Sequence, residues 1–415
     1  MEALKNEVII IGAGIAGLTC AIELEKRGIH PLIIEATDRA GGRVKTDIKD
    51  GYLMDHGFQV LLTAYPEAQQ YLDYNKLELK TFDPGAIIYE GNRHYEISDP
   101  LRNLSSVFSM AFSPVGGLGD KLKMAKLTSN VKKQDLEAIF KKDEVTTLAH
   151  LRNYGFSERI IANFFKPFFG GIYLENVLDT SSRMFDFVFK MFSEGHAAIP
   201  ARGIEEIPKQ LESQLKQTEF LFNTRVKQVN NEVVLENGET LKPKKVVIAT
   251  QPEAIMNGFN EKPAYQSVLN LYFSCHNPII KKPLIGLVTE ENKLINNFCD
   301  LTTVSKAYSP SGKRLISVSV NNDQNIDIQD VVRQELAELS GHDTKAFEFL
   351  ASYHIPKALP INQDIKYDMA ATEVKLHDDI FLAGDYLLNA SLNAAMLSGR
   401  RAAEAVASSL SGSLF

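Results

Sequence analysis

The sequence predicts an α/β protein whose parallel sheet, with helices on its faces, is assembled from separate stretches of the chain. A β-branched run at residues 7–12 (EVIIIG) is followed by a helical pattern over 15–28 and a second apolar strand at 31–36 (PLIIEA). Similar runs lie at 244–250 (KKVVIAT) and 380–385 (IFLAGD). Continuous apolar runs of this length are typical of parallel strands buried on both faces.

The stretches between these strands predict a second domain of mixed helices and strands. Short strands are expected around the GNRHYEI turn at 85–97, and the β-rich stretch 219–250 contains the strong hairpin signal Asn237–Gly238. Helical patterns occur near residues 104–110, 117–129, 146–154, 157–168 and 183–193. We predict a discontinuous first domain of residues 1–80, 200–260 and 376–415, with an α+β domain of residues 81–199 and 261–375 inserted into it.

The composition excludes several classes of protein. The 415 residues contain 45 Lys and Arg against 52 Asp and Glu, a net charge of −7 that argues against nucleic-acid binding. Cys20, Cys275 and Cys299 form no CxxC pair, so neither a metal site nor a disulfide framework is predicted. The first strand begins at residue 7 and no apolar run has the length of a membrane span. We therefore expect a cytoplasmic protein without a secretion signal.

A glycine motif joins the first strand to the first helix. Residues 12–17 read GAGIAG. Gly12 permits a tight turn, Gly14 lets the backbone approach a diphosphate, and Gly17 allows the helix to pack closely on the strand. The phosphates would sit on the helix N-terminus, beside Ala16, where free N–H groups favour anions. The motif in this position predicts a dinucleotide-binding fold.

Two further features follow the second strand. Glu35 ends that strand, just before Ala36, where a carboxylate can accept hydrogen bonds from ribose hydroxyls. The sequence AGGR at 40–43 then places Gly42 and Arg43 where the backbone could wrap a diphosphate and the guanidinium neutralise it. This second loop favours FAD over NAD, which the glycine motif alone does not separate.

The last apolar strand adds a second reason to favour FAD. It ends at Gly384 and Asp385, and the carboxylate is placed to bind the sugar-alcohol chain of a flavin. A helix beginning near Leu392, with Ser391 as its N-cap, would point its positive end at the ring and stabilise the reduced flavin. No cysteine lies near this motif, so the FAD is predicted to be bound non-covalently.

These motifs give the chain a resemblance to a known family. VIIIGAGIAGL, IIEATDRAGGRVKT and FLAGDYLLNASLNAAMLSGRRAA are specific together, whereas MDHGFQVL, IPARGIEEIPKQL, TRVKQV and VVIATQP are looser matches. The chain resembles the flavin-containing amine oxidase superfamily, which also holds protoporphyrinogen oxidases and carotenoid desaturases. The resemblance implies FAD held by the residues named above, with Val226 by the adenine and Gly57 and Phe58 near the flavin ring.

Two departures distinguish the chain from the amine oxidases it resembles. Those enzymes typically place a lysine near flavin N5, and the matching stretch, Tyr265 to Asn277, has none. They also tend to set an aromatic residue where Ser391 stands here. The form SLNAAMLSGRRAA is closer to the carotenoid desaturases. The resemblance thus implies an oxidoreductase that dehydrogenates a largely apolar small molecule by hydride transfer to flavin N5, with oxygen or a quinone as electron acceptor.

Other functions stay open at this point. The chain could be a flavin amine oxidase, a protoporphyrinogen-oxidase-like enzyme, or a non-catalytic flavin-binding partner of other proteins. A reductase driven by a nicotinamide is disfavoured, because no second GxGxxG follows a strand.

The sequence does not identify a catalytic base. His56, in the segment Asp55-His56-Gly57, can face the flavin as a base or bond to neighbouring backbone. His196 can reach the substrate cavity by analogy with the family or lie at the surface. Four clustered phenylalanines are expected in the core or on the wall of an apolar cavity: Phe164, Phe165, Phe168 and Phe169.

Residues 104–133 combine an apolar, glycine-rich stretch with a lysine-rich one. LSSVFSMAFSPVGGL at 104–118 is followed by Lys121, Lys123, Lys126, Lys132 and Lys133. Such a combination can dock on an anionic membrane surface, through which an apolar substrate would enter. The alternative is a packed helix with a solvated, lysine-bearing face.

Overall fold

A six-stranded sheet collects strands from the beginning, middle and end of the chain. The computed structural model describes residues 7–91, 93–98, 115–230, 232–259, 264–310, 312–321 and 327–412. The strands lie in the order Glu219–Leu221, Leu32–Ile34, Val8–Ile11, Lys245–Ile248, Ile380–Leu382 and Lys375–His377. The first five are parallel and the last is antiparallel. The central strands are buried throughout, as expected when both faces of a parallel sheet are covered.

A seven-stranded sheet forms the second large layer. Its spatial order is Glu348–Ile361, Ala264–Cys275, Arg314–Asn321, Asn297–Asp300, Ile285–Val288, Gly85–Glu90 and Arg93–Ser98. All neighbours are antiparallel except the pair formed by Ile285–Val288 and Gly85–Glu90. Helix Gln329–Ser340 covers one face, where Val332 and Leu336 pack on alternate strand residues. The opposite face packs in part on Tyr52, Met54 and Tyr308, and the remainder lines the cavity described below.

Helices and three small sheets complete the structure. The α-helices are Ile15–Glu25, Pro66–Tyr71, Leu118–Lys133, Leu136–Phe140, Thr147–Tyr154, Glu158–Ile160, Lys166–Tyr173, Ser182–Glu194, Glu206–Gln214, Leu301–Val304, Gln329–Ser340 and Leu392–Ser411, with a π-helical turn at Ile161–Phe165. Short 3₁₀ turns occur at Pro252–Ala254, Lys306–Tyr308, Thr344–Ala346, Ala371–Val374 and Asp385–Leu387. The small sheets pair Val226–Val229, Val233–Leu235 and Thr240–Leu241; Thr46–Lys49 and Tyr52–Asp55; and Leu61–Leu62, Ala197–Ile199 and Lys80–Thr81.

The first and last helices cross at very close range. A Cβ on Gly399 would lie 2.2 Å from the carbonyl oxygen of Ala16, so the crossing requires glycine at this point. Together the two helices bury one face of the parallel sheet through residues such as Leu18, Ala402 and Val406. This contact brings the start of the C-terminal helix beside the start of the first helix.

The predicted α/β class, with a parallel sheet and further α+β elements, is confirmed. The helices expected near 117–129, 146–154 and 183–193 are present, and the one expected at 157–168 is interrupted by the π-helical turn. The helix expected at 104–110 lies outside the described residues. The exact domain boundaries stay a prediction.

Candidate cofactor and substrate site

One large cavity lies where the carboxyl ends of the parallel strands meet the seven-stranded sheet. Its volume is about 1790 Å³, well above the roughly 300–1,000 Å³ of most small-molecule pockets. Residues that follow four parallel strands line it: Gly12, Glu35, Ala249 and Ala383. This edge is where open α/β sheets bind their ligands. The cavity has room for a dinucleotide and a second molecule.

The glycine motif lies at the cavity, at the start of the first helix. Gly12 has φ +105°, and a Cβ there would lie 2.8 Å from the carbonyl oxygen of Ala249, so only glycine fits. Gly14 is the N-cap of helix Ile15–Glu25. Within the described residues no side chain caps this helix, and its first turn carries no acid. Its free N–H groups and dipole therefore favour an anion in the cavity.

A second glycine loop lies against the first. The N–H of Gly41 donates to the carbonyl oxygen of Ala13 at 2.9 Å. A Cβ on Gly42 would lie 3.2 Å from the Cα of Gly14. Two side-chain-free loops thus border the cavity beside a helix N-terminus, which leaves backbone N–H groups accessible to a diphosphate. The residues present fit a dinucleotide cofactor.

Glu35 is buried at the edge of the cavity and shapes the glycine loop. One carboxylate oxygen accepts a hydrogen bond from the N–H of Ala13 at 2.9 Å. The other accepts from the N–H and the hydroxyl of Thr37, at 2.9 and 2.7 Å. A carboxylate offers about four lone-pair positions, so acceptor capacity remains for the hydroxyls of a ribose.

Arg43 and Asp385 form an ion pair that joins distant parts of the chain. Arg43 Nη2 donates to Asp385 Oδ1 at 2.6 Å, and Nη1 donates to the carbonyl oxygen of Ala358 at 2.8 Å. The charge of the buried Asp385 raises the pKa of Arg43. A guanidinium has five N–H donors, so Arg43 keeps donors for a diphosphate while Asp385 holds its orientation.

The C-terminal helix begins at the same cavity. The hydroxyl of Ser391 accepts a hydrogen bond from the N–H of Ala394 at 3.0 Å, which confirms the expected N-cap. The N–H of Gly384 donates to the hydroxyl of Ser398 at 2.9 Å and fixes the loop to the helix. Leu392, in the first turn, lines the cavity. The positive end of a second helix is thus directed at the site.

The structure brings most of the predicted site residues to this one cavity. Its lining includes Gly12, Gly14, Ala16, Glu35, Gly42, Arg43, His56, Gly57, Phe58, Gly384, Asp385 and Leu392. Four others are not part of the lining: Gly17, Ala36, Val226 and His196. Gly17 has the packing position expected of it, whereas the cofactor contacts of Ala36 and Val226 stay predictions.

His196 lies at the surface, one of the two positions expected for it. Its N–H donates to the hydroxyl of Thr63 at 2.8 Å, and its carbonyl oxygen accepts from the N–H of Thr63 at 2.9 Å. These bonds fix the backbone just before strand Ala197–Ile199 and leave the residue exposed. A role in the cavity by analogy with the family is therefore not supported.

His56 lies in the cavity lining within a polar network that sequence reasoning missed. Its Nε2 lies 3.0 Å from Asp47 Oδ2, and its ring packs on Tyr353 with centroids 4.5 Å apart. Asp47 also accepts from Arg39 at 2.7 Å, and Arg39 in turn pairs with Glu205. Partial burial opposes ionisation of Asp47, but the bonds from His56 and Arg39 outweigh it and lower its pKa. The ring of His56 is therefore oriented by an ionised carboxylate.

Asp55 anchors the segment that carries His56 and Gly57. It is 3% exposed and accepts hydrogen bonds from the hydroxyl of Thr46, the N–H of Ile204 and the hydroxyl of Tyr308 at 2.6 to 3.0 Å. Burial outweighs these bonds and raises the pKa of Asp55 from 3.8 to about 6. The native protein therefore binds this proton more tightly than the unfolded chain does.

An Asp55→Asn variant is expected to change how stability depends on pH. Because the folded-state pKa is raised, the stabilisation is present near pH 4 and is lost as pH rises through about 6. Asparagine does not titrate, so the variant lacks this pH-dependent contribution. Between pH 4.5 and 7.5 the unfolding free energy of the variant should therefore fall by about 2 kcal/mol less than that of the wild type. Urea unfolding at saturating FAD measures the difference. The exposed Asp143→Asn should keep the wild-type slope; parallel curves for Asp55→Asn would contradict the prediction.

Phenylalanine side chains from two helical stretches, 161–173 and 182–194, form an aromatic wall on one side of the cavity. Phe164 and Phe168 line it, with ring centroids 5.4 Å apart, and Phe189 and Phe192 extend it. Phe165 is fully buried in the core, and Phe169 is almost fully buried although it touches the cavity. Both roles expected for the phenylalanine cluster are thus present, because Phe164 and Phe168 are four residues apart on one helix face, and Phe165 and Phe169 are four apart on the next.

Lys357 is a cavity residue with no signal in the sequence. It lies on strand Glu348–Ile361, which pairs with the lysine-free strand Ala264–Cys275. Its Nζ donates to Gln251 Oε1 at 2.7 Å and lies 5.3 Å from the ring centre of Tyr265. The absence of lysine from one strand therefore does not leave the cavity without one, since sheet pairing brings in a neighbour from far along the chain.

The glycine loops, the two helix N-termini and the Arg43–Asp385 pair define a dinucleotide-binding protein of the flavoprotein kind. The model of the family described as flavin containing amine oxidoreductase matches residues 15–407. The chain therefore belongs to this family of FAD-dependent oxidoreductases, and FAD is its cofactor.

Known proteins similar to this chain span several activities. Coproporphyrinogen III oxidase of Bacillus subtilis is 23% identical over 316 residues, covering 65% of this chain and 64% of that protein. The 1-hydroxycarotenoid 3,4-desaturase of Flavobacterium sp. is 26% identical over 190 residues, 43% of this chain and 36% of that protein. These matches span less than two thirds of either relative. A putrescine oxidase structure superposes with a TM-score of 0.71 at 16% identity, covering 97% of this chain and 99% of that one, which shows the fold.

Proposed function

We propose that this chain dehydrogenates, or desaturates, a largely apolar small molecule. The observation that carries the proposal is the continuity of one cavity from the glycine loops to the aromatic wall. A cavity of this kind would hold a flavin at the end with the glycine loops and an apolar skeleton at the end with the phenylalanines. One relative, the 1-hydroxycarotenoid 3,4-desaturase, is named for the desaturation of a carotenoid, which is a largely apolar substrate.

The residues that line the cavity divide into those that would bind the cofactor and those that would bind the substrate. FAD, when bound, supplies a two-electron acceptor at N5. Gly14, Gly42 and Arg43 would hold its diphosphate, and Glu35 its ribose, with Asp385 on the sugar-alcohol chain. Phe164, Phe168 and their neighbours would hold the C–H bond to be broken and exclude water from it. We also propose the domain division 1–80, 200–260 and 376–415 against 81–199 and 261–375.

His56 is the residue best placed to hold a proton in this cavity. If Nε2 donates to Asp47, Nδ1 is left as an acceptor, because a neutral imidazole has one donor and one acceptor nitrogen. His56 therefore remains our candidate for proton transfer, with Asp47 as its positioning residue.

Amine oxidation is a second candidate, favoured by the polar side of the same cavity. Glu175 and Asp179 line it, and carboxylates there could attract an ammonium group. Lys357 also lies within it. The porphyrinogen-oxidase alternative is supported by the Bacillus subtilis relative. A non-catalytic flavin-binding partner would carry the same cavity without turning over any of these donors.

Anaerobic mixing with candidate donors tests the proposal. The flavin-loaded protein is mixed with an acyclic carotene in detergent, coproporphyrinogen III, or putrescine, and flavin bleaching is followed near roughly 450 nm. We expect the carotene to bleach the flavin and Phe168→Ala to slow this at least tenfold, since misplacing a reacting bond by about 1 Å costs about 10²-fold. Phe349→Ala, outside the cavity, is the matched control. Bleaching by putrescine alone would replace the proposal with amine oxidation, and none at all would favour the non-catalytic partner. Admitting oxygen or a soluble quinone then identifies the electron acceptor.

We further propose that helix Leu118–Lys133 contacts an anionic membrane surface. Of the apolar stretch 104–118 on which this expectation depends, residues 104–114 lie outside the described residues. Leu118 and Leu122 are 71% and 74% exposed, one turn apart, while Lys121 and Met124 of the same helix line the cavity. Among the described residues, none of its five lysines forms an ion pair with an acid. No helix in the described part of the chain is long and apolar enough to cross a bilayer.

Vesicle sedimentation tests this contact. The wild type should sediment with phosphatidylglycerol vesicles at low salt and not with phosphatidylcholine vesicles. Leu118→Ser combined with Leu122→Ser should reduce the bound fraction by about tenfold or more, because burying each leucine contributes about 1.5–3 kcal/mol. Ile48→Ser, which changes a 72% exposed side chain elsewhere, should bind like the wild type. Failure to bind the anionic vesicles at low salt would end this proposal.

A further inference from the structure

Two buried polar side chains interrupt the apolar part of the cavity. Asn297 and Ser319 stand directly opposite each other on neighbouring strands, and both line the cavity. Each is only 4% exposed. Apolar residues border them: Leu287 is the cross-strand neighbour of Asn297, and it belongs to a cluster against which Ile285, Phe164 and Phe168 also pack. Buried polar groups in such a place require hydrogen-bond partners.

The hydroxyl hydrogen of Ser319 is already used. Ser319 Oγ donates to Asn270 Oδ1 at 3.2 Å, and Asn270 is fully buried behind it. Ser317, two residues earlier, shares bonds with the same amide. A hydroxyl has one hydrogen and two lone pairs, so Ser319 offers the cavity an acceptor and no donor.

The amide of Asn297 is also fixed with its acceptor free. Nδ2 donates to Asn296 Oδ1 at 2.7 Å. Helix Lys166–Tyr173 packs on this pair, where a Cβ on Gly171 would lie 2.7 Å from Asn296 Oδ1 and 2.8 Å from Asn297 Nδ2. Turning the Asn297 amide over by itself would bring two carbonyl oxygens together, so the bond to Asn296 favours this orientation. Among the described residues, Asn297 Oδ1 accepts no hydrogen bond.

We infer that Asn297 and Ser319 together form an acceptor pair for a hydroxyl or N–H group carried by an otherwise apolar substrate. Each of the two residues lines the cavity and keeps an acceptor position that no described donor uses. If a bound ligand covers such an acceptor without donating to it, the loss is about 1–3 kcal/mol. A ligand without a donor would keep that penalty, and one with an O–H or N–H would remove it. The inference rests on the proposed function, because it assumes that the aromatic wall holds the rest of the molecule.

The same geometry also sets the orientation of the substrate. The acceptor pair belongs to the seven-stranded sheet, and the cofactor loops belong to the parallel sheet. The donor group of the substrate would therefore be held on the side of the cavity away from the diphosphate cradle. A competing role for the pair is to hold an ordered water or to stabilise the sheet, and the experiment separates these.

Ligand binding to the flavin-loaded protein tests the pair without turnover. Three probes share one C20 chain: geranylgeraniol with an O–H, its N-acetylamide analogue with an N–H, and its methyl ether with neither. The readout is the shift in flavin absorbance on titration. The wild type should bind the alcohol or the amide at least about fivefold more tightly than the ether, since one neutral hydrogen bond contributes about 1 kcal/mol. Ser319→Ala should bring that ratio below about twofold.

Ser317→Ala is the matched control, because Ser317 bonds the same asparagine and does not line the cavity. It should keep the preference of the wild type. Equal affinities for alcohol, amide and ether in the wild type would overturn the acceptor pair while leaving an apolar site in place. If Ser317→Ala and Ser319→Ala lost the preference for the alcohol or amide to the same extent, the hydrogen bonds of both serines to Asn270 would have a structural role instead. If no probe shifts the flavin spectrum, the apolar-substrate proposal itself fails, and the inference with it.

Discussion

A Gly17→Ala variant is expected to lose about 3 kcal/mol or more of stability. The added Cβ would lie 2.1 Å from the carbonyl oxygen of Gly12 and 3.2 Å from the Cβ of Ala249. Both neighbours belong to the packed sheet and its loop, so the contact is relieved only by moving the helix off the strand. Overpacking of this kind costs about 1–3 kcal/mol and more when backbone must move. Urea unfolding of the flavin-free protein measures the loss.

Two other glycines separate this packing effect from a cofactor effect. Gly119, also in a first helical turn, has nothing within 4 Å of an added Cβ, so Gly119→Ala should keep or slightly raise stability. At Gly14 an added Cβ meets only Gly42, at 3.9 Å, but Gly14 lines the cavity. Gly14→Ala should therefore unfold like the wild type and lose FAD. Equal stability of Gly17→Ala and Gly119→Ala would contradict the packing role of Gly17.

An Asp385→Asn variant is expected to bind FAD about 10- to 100-fold more weakly. The substitution removes the charge that orients Arg43 and turns one acceptor oxygen into a donor. Charge-assisted hydrogen bonds contribute about 1.5–3 kcal/mol, which corresponds to that range of affinity. Equilibrium dialysis against FAD gives the dissociation constant.

Acid precipitation of the wild type should release all flavin to the supernatant, since none of the three cysteines lines the cavity.

Asp368→Asn provides the comparison for Asp385→Asn. Asp368 also accepts two hydrogen bonds from an arginine, Arg401, but neither residue lines the cavity. The Asp368→Asn variant should have a modestly lower stability and an unchanged affinity for FAD. If both variants lost FAD to the same extent, the effect would come from general destabilisation, and Asp385 would have no specific part in holding the cofactor.

The sequence was sufficient to predict a feature wherever the residues that form it lie within one short segment. The turn at Gly12 needs a positive φ and a close approach to a neighbouring strand, and the GAGIAG motif shows both by its glycines. The N-cap at Ser391 depends on a hydroxyl and an N–H three residues later. The loop around Gly42 follows the second strand directly. Such features are set by backbone sterics and hydrogen bonds over a few residues.

Features that need two distant segments were not predictable in this way. Lys357 enters the cavity because its strand pairs with Ala264–Cys275, and the sequence of the lysine-free strand carries no sign of this neighbour. The partners of His56 depend on pairing in the same way. Asp47 is near it in the sequence but meets it only through the pairing of two short strands, and Tyr353 comes from a position about 300 residues away. His196 carried a cavity role by analogy, and its exposure was decided by backbone bonds to Thr63.

The sequence by itself determined the class of fold, the cofactor cradle and the parts of the chain that build it, because glycine spacing and continuous β-branched runs are local constraints on the backbone. Only the tertiary structure decided what surrounds the rest of the cavity. Sheet pairing placed Asn297 opposite Ser319, and the packing of the helices left Phe164 at the cavity while Phe165 lies in the core. Which side chains share a wall depends on strand register and helix packing, and these are properties of the assembled chain.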